Sequence, residues 1–210
     1  MVADLVRYRS MPMGGDRART KMAGRERMTQ LTADQMTPEQ KRAEEVFRAG
    51  RGHGLMGPFA VMLRSPEVML RAKAMGDYLR FRNVLPKRVS EMVILITARE
   101  WTQQFEWSHH YRFAMEAGLA REIADAIAEG RRPDHMAEDE TAAYDFSIEL
   151  HRTRGVSDAT YERALALFSE RGIIDLIGLN GYYSFLAMMM NVARTPSDAH
   201  DVKPLKPFPN

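Results

Sequence analysis

Helix start and stop signals recur along this chain, and no strand pattern interrupts them. Thr37-Pro38-Glu39-Gln40 opens a helix that runs to about residue 49: Thr37 can cap it, Pro38 fits the first turn and Gln40 can close a capping box. Four glycines (Gly50, Gly52, Gly54, Gly57) then open a loop whose spacing matches no phosphate cradle. A short apolar helix covers 58–63, and Ser65-Pro66-Glu67 restarts the chain into a helix to about Phe81. Pro86 begins the next, through Val89, Met92, Val93, Ile96 and Thr97. Residues 103–117 end at Gly118 and residues 120–129 end at Gly130, the positions where helices favour a left-handed residue. Residues 139–153 are amphipathic through Ala142, Ala143, Phe146 and Leu150. Ser157 caps a helix to about Arg171, and 172–192 is a long, mostly apolar final helix. No segment alternates with period two between turns, so the pattern predicts an all-α chain of about eight helices.

The chain divides into three parts: an arm (1–36), a helical body (37–195) and a tail (196–210) carrying Pro196, Pro204, Pro207 and Pro209. The tail is expected to wrap a neighbour or hang free. The arm is locally basic, with Arg7, Arg9, Arg17, Arg19, Lys21, Arg25 and Arg27 against Asp4, Asp16 and Glu26. It reads as a solvated tail or as residues ahead of a start at Met28, with contact to phosphates as the alternative. A net charge of only +2 gives no overall field for nucleic acid. The apolar runs 92–96 and 185–190 are broken by Thr97 and Asn191, far short of the roughly 18–20 residues of a membrane span. The N-terminus lacks the layout of a signal peptide, and the expectation is a soluble, cytoplasmic protein. The sequence contains no cysteine, which removes disulfides, thiolate nucleophiles and thiolate metal sites together.

Chemistry concentrates in Glu106-Trp107-Ser108-His109-His110. Gln103, Glu106 and His110 fall at i, i+3 and i+7, one stripe of a helix. Glu91 stands upstream, at the start of a strongly apolar run. A carboxyl beside an imidazole is the minimum apparatus for moving protons at neutral pH. Glu106 can hold His110 in one tautomer and raise its basicity; equally, the two can form an ordinary surface pair worth only tenths of a kcal/mol. Phe105, Trp107, Phe113 and the 92–96 run favour burial. His109 and His110 point roughly 100° apart on a helix and cannot readily share an ion, and no HExxH is present, so no metal is expected. Ser108 lacks the glycines of a nucleophile elbow. His53 is a loop residue or lines a cleft, and Met188-Met189-Met190 reads as core filling. Asn180, Tyr182 and Tyr183 supply either pocket groups or hydrogen bonds within the core.

With these residues in place, 86–118 (PKRVSEMVILITAREWTQQFEWSHHYRFAMEAG) resembles the core motif of the carboxymuconolactone decarboxylase family, within the AhpD-like fold. The matching positions are Pro86, Glu91, Glu106, Trp107, His110, Ala114 and Gly118. The stretches GPFAVMLRSPEVMLRAKAMGDYLRF (57–81) and GYYSFLAMMMNV (181–192) resemble the longer branch of that family. The thiol peroxidase branch carries C-x-x-C-x-x-x-H, and its two cysteines correspond here to Gln103 and Glu106, so its dithiol route is disfavoured. What the resemblance implies is a cofactor-free, decarboxylase-like carbon–carbon lyase acting on a small, anionic, unsaturated acid or lactone. His110 is then the proton donor or partner of the enolate, Glu106 orients His110 or acts as acid/base, and Glu91 completes the pocket, protonated by burial. Trp107, Gln103, Arg112 and Tyr182 are the expected substrate contacts, with Arg88 an alternative to Arg112 for the carboxylate. A lactone hydrolase or isomerase on the same scaffold and a non-catalytic helical assembly protein stand as alternatives. The resemblance also implies a homo-oligomer, a trimer or hexamer, with the apolar last helix suited to an interface and residues of a neighbouring chain able to reach the pocket.

Overall fold

The computed structural model describes residues 25–51, 54–197 and 202–207; most of the basic arm and His53 lie outside them. Among the described residues there are eight α-helices and no strand. They are α1 (Pro38–Arg51), α2 (Pro58–Met62), α3 (Pro66–Phe81), α4 (Lys87–Glu100), α5 (Gln104–Glu116), α6 (Arg121–Ala128), α7 (Glu138–Thr153) and α8 (Asp158–Ala193).

Several ends form as the sequence dictates. Gln40 N–H donates to Thr37 Oγ1 at 3.2 Å and Thr37 N–H donates to Gln40 Oε1 at 2.9 Å, the reciprocal capping box ahead of α1. Gly118 and Gly130 take φ of 86° and 72°, ending α5 and α6 in the left-handed region. Ser65 makes no side-chain cap, so α3 starts on Pro66 alone. The two predicted helices 157–171 and 172–192 meet at a kink at Ser169, with φ 62° and ψ 173°, within three residues of the expected break, and are numbered together as α8.

α4 is the central post. Every residue from Val89 to Arg99 is buried, and α5, α6, α7 and α8 pack around it. α8 is long and apolar enough to cross a membrane by composition alone, yet 56% of that apolar window is buried inside the protein, as in a core helix. α2 and α3 pack on α8, and α1 packs on α3. The ends of the described chain lie on its own body rather than free. Arg27 N–H donates to Ala193 O at 2.8 Å, and Leu31 and Met36 pack against the core. Val202 and Leu205 of the tail are buried, and Leu205 N–H donates to Gln104 Oε1 at 2.7 Å.

One close helix crossing shapes the region where the chemistry falls. Gly76 of α3 faces Tyr182 of α8, and a Cβ there would overlap the tyrosine hydroxyl and stand 2.8 Å from Cζ. Gly76→Ala is expected to lose about 1–3 kcal/mol in a urea melt as Tyr182 is displaced. An unchanged melt would mean that the two helices separate without strain.

Candidate active site

α4 and α5 lie side by side, and their contact sets the site. His110 Nδ1 stands 2.7 Å from Glu91 Oε2, and both side chains are buried. Lys87 Nζ, one turn earlier on α4, lies 2.7 Å from the other Glu91 oxygen. Burial pushes the Glu91 carboxyl up, but the hydrogen bond from His110, the charge that ring carries when acid protonates it, and the Lys87 ammonium outweigh it and hold it down at about 2. Burial lowers the His110 pKa against the opposing pull of Glu91, so the ring is neutral at pH 7. A neutral imidazole next to a carboxylate donates from Nδ1–H and leaves Nε2 with its lone pair. Tyr183 packs edge-on to the ring at 5.0 Å between centroids.

This arrangement corrects two expectations. Glu106 does not orient His110, because the imidazole turns to the carboxylate on the neighbouring helix, where Lys87 stabilises the charge. Nor is Glu91 protonated; those same partners keep it ionised. Glu106 takes the neutral role instead. It is 2% exposed, and neither carboxyl oxygen has a hydrogen-bond partner among the described residues. Burial raises its pKa well above the ordinary value, which favours the carboxylic acid form.

Glu106 and His110 line a half-enclosed cavity with room of about 60 Å³, enough for a few waters or a small molecule. Its apolar wall comes from Phe59, Leu186 and Met190, its hydroxyls from Tyr182 and Tyr183. Burial pushes the Tyr182 hydroxyl well up, and it stays protonated. Tyr182 is thus where the sequence puts it. The other expected contacts are not. Gln103 caps α5: its Oε1 accepts from Phe105 N–H at 2.7 Å, and its Nε2 donates to Asn191 Oδ1 at 2.8 Å. Trp107 is a core residue, 1% exposed and away from the cavity, because its position on α5 faces the helices behind. Arg112 is exposed and off the cavity, and Arg88 is held by Asp139 and Glu140. Asn180 bonds Ser147 and the Leu176 carbonyl within the core.

Three polar cavity residues escape the sequence reading: Arg51, Arg80 and His109. Burial lowers the His109 pKa to about 3, helped by His110 and Arg80, so a second neutral ring lines the wall. Arg51 is occupied, with Nη2 2.7 Å from Asp77 Oδ1 and its guanidinium over the Phe59 ring. Arg80 makes no ion pair among the described residues, and its buried Nε has no hydrogen-bond partner. Arg80 stands six residues before the 86–118 motif and Arg51 thirty-five, and no spacing ties them to it. Among the described residues no three His, Asp or Glu side chains group as a metal site.

The raised Glu106 pKa has a consequence for stability. A folded pKa above the unfolded 4.5 means that the folded state binds the extra proton, so its contribution is full below pH 4.5 and is lost as pH rises toward the folded value. Glu106→Gln removes that loss. Urea melts at pH 5 and pH 9 should show the variant gaining on the wild type as pH rises; a constant gap would place the Glu106 pKa near its ordinary value.

No protein-family model matches this sequence, and no curated protein matches it. Solved structures do. The fold is similar to a peroxidase-related protein from Ralstonia eutropha JMP134 described as an alkylhydroperoxidase AhpD core, with TM-score 0.67, 15% identity, and 82% of this chain and 92% of that one covered. It is similar to the debrominase Bmp8, with TM-score 0.64, 16% identity and 82% and 92% covered; Bmp8 is also solved with 2,3,4-tribromopyrrole as a variant in which a cysteine is replaced by alanine. ATU0492 from Agrobacterium tumefaciens matches with TM-score 0.58 and 16% identity, over 66% of this chain and 96% of that one. In element content and arrangement, this chain has the AhpD-like all-helical fold.

Proposed function

We propose that the chain is a cofactor-free acid/base enzyme acting on a small unsaturated carboxylate or lactone, with decarboxylation as its reaction. The observation that carries this is the pairing of opposite proton states in one cavity: His110, neutral and bonded at 2.7 Å to ionised Glu91, and Glu106, a carboxylic acid with no partner. Two titratable groups pushed to different states by their surroundings are the usual mark of an acid and a base. Loss of carbon dioxide leaves its electron pair on the substrate as a carbanion or dienolate. The Glu106 carboxyl hydrogen-bonds that charge as it develops and passes its proton to carbon. His110, one helical turn away, takes a proton from solvent through Nε2 and returns it to Glu106. Glu91 holds the ring and balances the transient imidazolium. The chain has no cysteine, so a dithiol peroxidase route has no nucleophile here.

Lactone hydrolysis or isomerisation is the second reading. Its support is specific: a neutral, carboxylate-backed imidazole is a base, and both reactions begin with a base. Self-association belongs to the same proposal. Val68, Met75, Met188 and Val192 are exposed apolar residues on α3 and α8 that suit contact with a second copy.

The test is carbon dioxide release and ring opening measured side by side on a panel of muconolactone-type and β-keto acids. Release of carbon dioxide by the wild type and not by Glu106→Gln supports the decarboxylase. Ring opening without carbon dioxide moves the assignment to the second reading. No turnover of any member, from a folded protein, contradicts both.

A further inference from the structure

Arg80 and Arg51 border the same cavity in different states. Arg51 is neutralised by Asp77 and lies 5.4 and 4.9 Å from the Phe47 and Phe59 centroids. Arg80 has no carboxylate partner among the described residues. What it touches is aromatic: its guanidinium carbon lies 5.0 Å from the Phe113 centroid and 5.3 Å from that of Phe81. Ring contacts of that kind engage the face of the guanidinium and leave its in-plane N–H edges free. A buried N–H without an acceptor is unfavourable by about 1–3 kcal/mol, and proteins rarely keep one without a use. The same cavity is lined by a second unsatisfied polar group, the Glu106 carboxyl. Both lack the same thing, an acceptor brought from outside the chain.

We propose that Arg80 is the specificity-determining anchor for the substrate's carboxylate, with the Glu106 hydroxyl as the second donor to the bound molecule. This rests on the cavity being the substrate site of the proposed function. A carboxylate fits better than a phosphate. It is planar, matches the guanidinium fork with two oxygens, and carries the single charge that one unpaired arginine balances. A dianion in a cavity walled by Phe59, Leu186 and Met190 would leave one charge unpaired and buried. Arg112 and Arg88 cannot take this role, the first exposed and off the cavity, the second committed to Asp139 and Glu140.

The test measures binding without turnover. Acrylate and benzoate, and their neutral isosteres acrylamide and benzamide, are titrated by ligand-observed NMR into wild type, Arg80→Gln, Arg80→Lys and Arg112→Gln. The expected result is that wild type binds at least one acid and binds it at least tenfold more tightly than its amide. Arg80→Gln weakens the acid at least tenfold and leaves the amide unchanged, Arg80→Lys falls between, and Arg112→Gln matches wild type. Thermal melts confirm that each variant is folded, and Arg80→Lys keeps the test readable if Arg80→Gln is not. Equal binding of acids by wild type and Arg80→Gln, equal binding of acid and amide, or no binding of either acid overturns the anchor. Charge-selective binding that depends on Arg80 supports the anchor even where no panel acid is turned over; that combination removes the reaction, not the anchor. Turnover with a KM indifferent to Arg80→Gln does the reverse.

Discussion

His110→Gln is expected to lower turnover about 10²–10⁴-fold, the usual contribution of a positioned acid or base. Glutamine keeps an N–H that can reach Glu91 and fills a similar volume, so the fold should persist. It cannot carry a proton between solvent and Glu106. The loss should fall mainly on kcat, because the ring meets the substrate through a proton that moves in the reaction. The measurement is steady-state kinetics beside a thermal melt. Full activity in a folded His110→Gln variant would remove His110 from the reaction and leave its bond to Glu91 a purely structural one.

The largest effect on stability is expected at Glu91. Its pKa, held at about 2 against an ordinary 4.5, corresponds to about 3 kcal/mol of stability at neutral pH. The group is depressed in the folded state, so this contribution is present above pH 4.5 and is lost as pH falls toward 2. Glu91→Gln removes the charge and keeps the shape. At pH 7 the variant should melt about 6–12 °C below the wild type for a chain of this size. Below pH 4.5 the two curves should converge. A gap of the same size at every pH would mean that the loss is one of packing rather than of the ion pair.

Much of the architecture was legible because its signals are local. Pro38, Gly118 and Gly130 mark helix ends through their own backbone limits, and the helices begin and end within a few residues of the expected places. The break in α8 was legible to within three residues: Gly172 marks the region, while the positive φ falls on Ser169, whose side chain does not announce it. The site was legible to the same degree. The residues Glu91, Glu106, His110 and Tyr182 are together or close to it, but the partnership among them is different. Helical spacing sees Glu106 and His110 on one face and cannot see Glu91 arriving from α4 with Lys87 beside it. Gln103 shares the stripe yet sits at the helix start, where the orphan N–H groups of Phe105 and Glu106 claim its side chain. Arg80 and Arg51 come from α3 and α1, and only the packing of those helices brings them to the cavity.

The central claim is that one cavity holds a neutral imidazole and a protonated carboxyl, with the negative charge placed on Glu91. It can be tested before any substrate is known, by NMR of selectively labelled protein titrated from pH 5 to 9, following the His110 ring nitrogens and the Glu106 side-chain carboxyl carbon. At pH 7 the account predicts a neutral His110 protonated on Nδ1 and a Glu106 carboxyl still in its acid form. An imidazolium at His110, or a Glu106 carboxylate already ionised at pH 5, would contradict it.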